Sequence, residues 1–183
     1  MLLYHLSVLA HILSAMIWIG GMLFLALVLV PSTRHLPAPE RAALFGSVGR
    51  RFRTIGWVCI ATLLVTGVVN LTYRGVTWDT LLTSALWSSP FGQTLALKLG
   101  FVAILLGLSA YHDFVLGPRS VRLATSLPPG TTSDREPGRV ERDRRDAERA
   151  RRVASLIGRI EAILALVVLA LASTLVRGTP FLH

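Results

Sequence analysis

The polar residues that could carry chemistry stand inside apolar stretches of this chain. Lys98 is the only lysine in the sequence, and it lies in the apolar segment FGQTLALKLGF. That segment continues to a His112-Asp113 pair, and an earlier apolar segment contains His5 and His11. Ionisable groups in apolar surroundings are costly, so they often mark ligand sites, ion paths or proton relays. These residues are the first candidates for a functional site.

The composition around these residues is typical of a membrane protein. Apolar residues make up 52% of the chain and charged residues 16%, against about 25% charged residues in soluble domains. The net charge of +9 comes from arginines in two connecting segments beside apolar spans. We therefore interpret the charge as a topology signal and expect no nucleic-acid partner. One cysteine, Cys59, excludes an internal disulfide framework.

Four segments are long and apolar enough to cross a bilayer core of about 30 Å. They cover about residues 2–30, 54–73, 92–116 and 153–176. The sequence thus predicts an all-α, polytopic membrane protein, in which residues 1–183 form a single domain, a bundle of four transmembrane helices. The lipid bilayer is its first partner.

The arginines predict the orientation of these spans. Five lie between the first two spans and ten lie between Arg119 and Arg152, whereas the second connection has only Arg74. By the positive-inside rule the first and third connections are cytoplasmic and both termini are external. We expect a multi-pass protein of the cytoplasmic membrane, with an Arg-rich cytoplasmic loop at 118–152. Within that loop, RVERDRRDAERARR is either a helical extension of the fourth span or an interfacial helix on anionic headgroups.

Helical periodicity assigns the candidates to faces and depths. At 100° per residue, one stripe of the first span carries Tyr4, Ser7, His11, Ser14, Trp18 and Met22, while His5 and Met16 face elsewhere. Lys98 and His112 share a face about 21 Å apart, so they belong to opposite leaflets. The outer group contains His11, Thr66, Asn70 and Lys98, and the inner group contains His112, Asp113 and Glu161. The face opposite Lys98 carries Gly100 and Gly107, which we expect to contact another helix.

Several stretches together resemble one family. HILSAMIWIGGMLFLALVLVP is similar to the first helix of the CopD family of copper-resistance membrane proteins, and RFRTIGWVCIATLLVTGVVNL to its arginine-led second helix. FGQTLALKLGFVAILLGLSAYHDFVLGPR resembles the family's Lys-Leu helix, and GRIEAILALVVLALASTLVRG its closing helix. The resemblance implies copper homeostasis at or across the cytoplasmic membrane.

The same pattern is distantly similar to the HemJ family of haem-associated protoporphyrinogen oxidases. The matching positions are His11, Trp18, Lys98, Tyr111 and His112. This similarity implies haem b as an alternative to copper. An axial histidine would then hold the iron, with His11 in that role and Lys98 beside a propionate.

Three functions remain open from the sequence: copper handling, a b-type haem redox protein, and a scaffold or small transporter with a proton path through His112 and Glu161. No hydrolytic triad, phosphate loop or zinc signature is present, so the sequence favours a protein that is not an enzyme, or else a haem-dependent membrane oxidoreductase. A homo-oligomer and a periplasmic copper protein are both open as partners. The candidate cofactor residues are His11, Trp18, Asn70, Lys98 and His112. The candidate metal ligands are His5, His11, Met22 and His112.

Overall fold

The computed structural model describes residues 1–117 and 137–177. Over these ranges the chain is helical and contains no strand. Four helices are long and apolar enough to cross a membrane, with bounds Leu2–Ser32, Pro39–Tyr73, Pro90–Leu116 and Arg152–Leu175. The predicted all-α fold with four spans is therefore confirmed.

Helix α1 runs from Leu2 to Phe24, passes through a π-helical turn at Leu25–Leu29, and ends with Val30–Ser32. The π turn directly precedes Pro31. A proline ring lacks an N–H and crowds the carbonyl four residues earlier, and a wider turn relieves that crowding. The first span therefore ends as a helix just beyond this proline.

Helix α2, Ala38–Tyr73, begins well before the predicted start of the second span. Its N-terminal part, before the predicted span, carries exposed arginines at Arg50 and Arg51. These positions can be polar because they precede the apolar segment of the helix. Just beyond its C-terminal end Gly75 has a φ of +83°, a conformation that glycine adopts without steric penalty. This glycine ends the helix and turns the chain towards two short helices.

These short helices are α3, Trp78–Leu81, and α4, Ser84–Ser88. Helix α5, Pro90–Tyr111, follows, with Ser89 capping the amide of Gly92 at 3.0 Å, and it ends in a second π-helical turn at His112–Leu116. A side chain at Gly92 would collide with the Leu86 backbone. Glycine is therefore required where α4 crosses the start of α5.

Helix α6, Pro137–Arg177, is continuous over 41 residues. It confirms the predicted helical extension of the fourth span, and the described charged side chains of the extension are exposed. The remaining residues of the predicted loop, 118–136, lie outside the described part of the chain. Whether this loop is cytoplasmic stays a prediction.

The spans pack as two antiparallel pairs, α1 on α2 and α5 on α6, with a smaller contact between α1 and α6. The pairs share a small core of buried residues: Trp18, Met22, Cys59, Ile60, Leu105 and Ala165. Many large apolar side chains elsewhere are exposed, as is expected of surfaces that face lipid.

One packing prediction is wrong. Gly100 and Gly107 are exposed, and no neighbouring atom lies within 4 Å of where a Cβ would stand. This small-residue face of α5 therefore contacts no other described helix. The opposite face of α5 packs instead through Leu95, Leu105 and Ser109, all buried.

Candidate functional site

The predicted polar stripe of α1 forms the seam with α2. Tyr4 packs on Tyr73 with ring centroids 5.2 Å apart, and Ser7 donates to Asn70 at 3.0 Å. One turn further, His11 pairs with Thr66 at 2.8 Å. Steps of three and four residues along α1 match the same steps in reverse along α2. The periodicity of α1 therefore correctly predicted which of its faces is buried.

The hydrogen bonds around His11 fix which imidazole nitrogen carries the proton. The Thr66 hydroxyl donates its one hydrogen to the Thr62 carbonyl at 2.6 Å. Its oxygen must therefore accept from His11 Nδ1, since a hydroxyl has a single donor. In the neutral ring the other nitrogen, Nε2, then has a free lone pair. This arrangement orients a histidine as metal ligands are oriented in proteins.

The space for the His11 ring comes from a glycine. A Cβ on Gly67 would stand 3.7 Å from His11 Cε1, so the imidazole lies directly over the α2 backbone. A second such contact lies deeper in the seam, where Trp18 covers Gly56. Small residues on α2 therefore let the ring-bearing face of α1 pack closely.

Two cationic side chains lie close to this site, Lys98 near His11 and Arg74 near Lys98. Lys98 is half-buried and interacts electrostatically with both His11 and Arg74. Arg74 stands at the end of α2 and donates to the Leu175 carbonyl of α6 at 2.9 Å. It also lines an open cleft of about 560 Å³ together with Leu86, Phe91 and other apolar residues. Lys98 thus faces the bundle as predicted, whereas Arg74 was not identified as a site residue from the sequence.

The middle of the seam carries two sulfur atoms. Met22 and Cys59 are buried in the same core cluster as Trp18. Met22 shares its face of α1 with His11, but eleven residues of helix separate them by about 16 Å. These two residues cannot bind one ion together.

The other predicted histidines lie at the two ends. His5 is exposed, its Nδ1 is 2.8 Å from the Met1 carbonyl, and its ring meets Tyr4 edge-on. His112 begins the π turn at the far end of α5. The structure therefore brings Lys98 and Asn70 towards His11, and it separates His5, Met22 and His112 from one another.

The inner end is a network around Asp113. The Trp57 indole donates to its carboxylate at 3.0 Å, and Arg53 donates to its backbone carbonyl at 3.0 Å. The Arg53 guanidinium also lies over the Phe114 ring, 5.7 Å from the centroid. The sequence offered no signal for these pairings, because they join residues more than fifty positions apart.

Glu161 is the most buried charged residue of the described chain, with 6% of its surface exposed. Ser109 hydrogen-bonds its carboxyl, yet Glu161 Oε1 has no partner, and neither does His112 Nδ1. The inward direction predicted for Glu161 is confirmed. Among the residues described, no three His, Cys, Asp or Glu side chains come close enough together to hold a metal ion.

Comparison with known proteins identifies a family and a relative. A family model described as copper resistance protein D matches residues 46–175, which include α2 from Gly46 onwards, all of α5, and α6 as far as Leu175. An uncharacterised protein of Aquifex aeolicus (strain VF5) is 33% identical over 112 residues, which are 61% of this chain and 68% of that protein. No solved structure matches.

Proposed function

The chain belongs to the copper resistance protein D family, and from this premise we propose that it handles copper at or across the cytoplasmic membrane. Four membrane-spanning helices and membership of a copper-resistance family support a multi-pass membrane protein for which copper is the cargo. The orientation with both termini external stays a proposal. So do a homo-oligomer and a periplasmic copper protein as partners.

The proposed copper site rests on His11, whose Nε2 has a free lone pair. Thr66 occupies Nδ1, so the other nitrogen is available to a metal, and imidazole is a ligand that suits copper. The matched region of the family starts after α1. The role of His11 therefore rests on its geometry and not on the comparison.

Met22 and Cys59 would provide sulfur ligands for copper further along the same seam. Thioether and thiolate sulfur favour Cu(I), and both side chains are buried around Trp18. Copper would be received at His11 and passed along the α1–α2 seam towards these sulfurs. Asn70 accepts a hydrogen bond from Ser7 and lies one helical turn from the His11–Thr66 pair, towards the predicted outer side. Copper would pass Asn70 on its way to His11. His5 and His112 lie at the two ends of the bundle and are left out of this copper site.

Haem b, the alternative cofactor, does not fit the residues described. His11 is pressed against Thr66 and Gly67 inside a helix seam, where the ring of a haem would have to separate α1 from α2. His5 and His112 lie at opposite ends of the bundle from each other, so neither supplies a second axial ligand at the depth of His11. We derive no haem chemistry from this site.

Copper retention by purified protein tests the proposal. We expect His11→Ala to lose Cu(I) that the unmodified chain retains through dialysis. His5→Ala is the matched control, because it removes a histidine from the same helix outside the seam. Equal copper retention by His11→Ala and the unmodified chain would refute the proposed site. Loss of copper in His5→Ala alone would show that the terminus, and not the seam, binds it.

A further inference from the structure

The inner half of the bundle contains two buried polar atoms without partners, Glu161 Oε1 and His112 Nδ1. A buried polar atom left without a hydrogen bond is destabilising. Neither residue has a part in the copper site proposed above. A proton or a water molecule bound by both atoms would remove this cost.

Helix register places the two residues on one interface. Ser109 hydrogen-bonds Glu161, and His112 follows Ser109 by three residues, which is the same face of a helix. Leu105, four residues before Ser109 on α5, belongs to the same core cluster as Ala165, four residues after Glu161 on α6. The pairing of α5 with α6 is therefore antiparallel and continuous through Glu161.

The same register places His112 opposite Gly158 on α6. No neighbouring atom lies within 4 Å of where a Cβ on Gly158 would stand. The position of Gly158 is therefore open, one turn from Glu161 and towards the end of the bundle that the arginines assign to the cytoplasm. His112 is itself half-buried and not enclosed.

Few charged groups lie near Glu161 and His112 in the described part of the chain. Asp113 interacts electrostatically with both Glu161 and His112, and its carboxylate accepts from Trp57 of α2. Arg53 of α2 donates to the Asp113 backbone. On α6, Arg159 is exposed. Residues 17–32 of α1 include no ionisable side chain.

We propose that Glu161 and His112 form a proton-exchange site in the inner half of the membrane, and that copper movement through the outer site is linked to proton movement here. The proton leaves Glu161 Oε1 and reaches His112 Nδ1 through one intervening water molecule, and the imidazole releases its other proton from Nε2 to water on the cytoplasmic side. No bond between heavy atoms changes. A carboxyl and an imidazole both take up and release protons, so this pair is suited to proton exchange. The exchange site stands on its own geometry, and only its link to copper rests on the proposed function.

Infrared difference spectroscopy of the full chain in lipid tests the exchange site directly. A pH step should produce a carboxylic-acid band that shifts in heavy water and disappears in Glu161→Gln. Ser109→Ala should shift the frequency of that band, because the carboxyl loses its hydrogen-bond donor. Glu148→Gln is the control, since Glu148 is an exposed acid on the same helix. A band that persists in Glu161→Gln, or no band in the unmodified chain, would overturn the proposal.

Proteoliposomes loaded with a pH-sensitive dye test the link to copper. Addition of Cu(I) to the unmodified protein should change the internal pH, and Glu161→Gln should lose this change while it still retains copper. Loss of the change in His112→Phe, with copper retention intact, would support the relay order. Copper entry with no accompanying pH change would overturn the link. Failure of the copper site itself would appear differently, as no copper retention in a protein that keeps its Glu161 band.

Discussion

Trp57 of α2 donates a hydrogen bond to the carboxylate of Asp113, in the π turn that ends α5, over 3.0 Å. The two residues are 56 positions apart, and they belong to different helix pairs of the bundle. Helices α2 and α5 otherwise make little contact. Together with the bond from Arg53 to the Asp113 backbone, this bond joins the two pairs at this end of the bundle.

Replacing Trp57 with phenylalanine should destabilise the protein by about 1 kcal/mol, because a half-buried carboxylate loses its donor while the ring packing on Phe114 is kept. The measurement is thermal unfolding in detergent. Trp78→Phe is the control, since Trp78 is 77% exposed and its change should be close to neutral. Equal effects in the two variants would contradict the prediction.

Thr66→Val should lower Cu(I) affinity by about tenfold, the smaller end of the range for residues that orient a metal ligand. Valine has the shape of threonine but cannot accept the His11 Nδ1 proton, so the ring loses its fixed orientation. Competition with a Cu(I) chelator measures the change. Thr66→Ser keeps the hydroxyl and should retain most of the affinity, so a large loss in both variants would point to altered packing instead.

Lys98→Leu should raise Cu(I) affinity by about fivefold, or about 1 kcal/mol, because it removes a positive charge that interacts with His11 and adds no copper ligand. Lys98→Arg keeps the charge and should leave the affinity near that of the unmodified chain. The same chelator competition applies. Weaker copper binding in Lys98→Leu would show instead that the lysine holds an anionic ligand at this site.

Two glycines of α5 should respond oppositely to alanine. Gly92→Ala should destabilise the protein by about 1–3 kcal/mol, because its side chain meets the Leu86 backbone. Gly100→Ala should be neutral or stabilising by up to about 1 kcal/mol, since its surroundings are open and alanine is the better helix former. Unfolding in detergent measures both. Similar losses in the two variants would mean that the face of Gly100 is covered in the native membrane.

The bias of the arginines predicts that both termini are external. A reporter fused after residue 183 should be active outside the cytoplasmic membrane, and one inserted between α1 and α2 should be active inside. The opposite pattern would exchange the inner and outer sites. The proton relay would then open to the periplasm.

Periodicity was sufficient to predict the buried face of α1, because a polar stripe in an apolar helix is costly unless it faces another helix. It failed for Gly100 and Gly107, since small residues are compatible with either a helix neighbour or lipid. The partners of Asp113 and the role of Arg74 depend on contacts between helices far apart in sequence. Single-sequence patterns do not contain that information.

Two arginines of α2 join the helix pairs through backbone carbonyls, Arg53 to Asp113 and Arg74 to Leu175. They are 21 residues apart, so along a straight helix their Cα atoms are separated by about 32 Å. That length is close to the hydrocarbon thickness of a bilayer. A thicker membrane would draw at least one of these guanidinium groups into the acyl chains. A thinner membrane would expose apolar residues of α2 to water unless the helix tilts, and either mismatch has a free-energy cost that grows with its size. The protein should therefore be sensitive to lipid chain length, with its two ends held together best in a bilayer that matches α2.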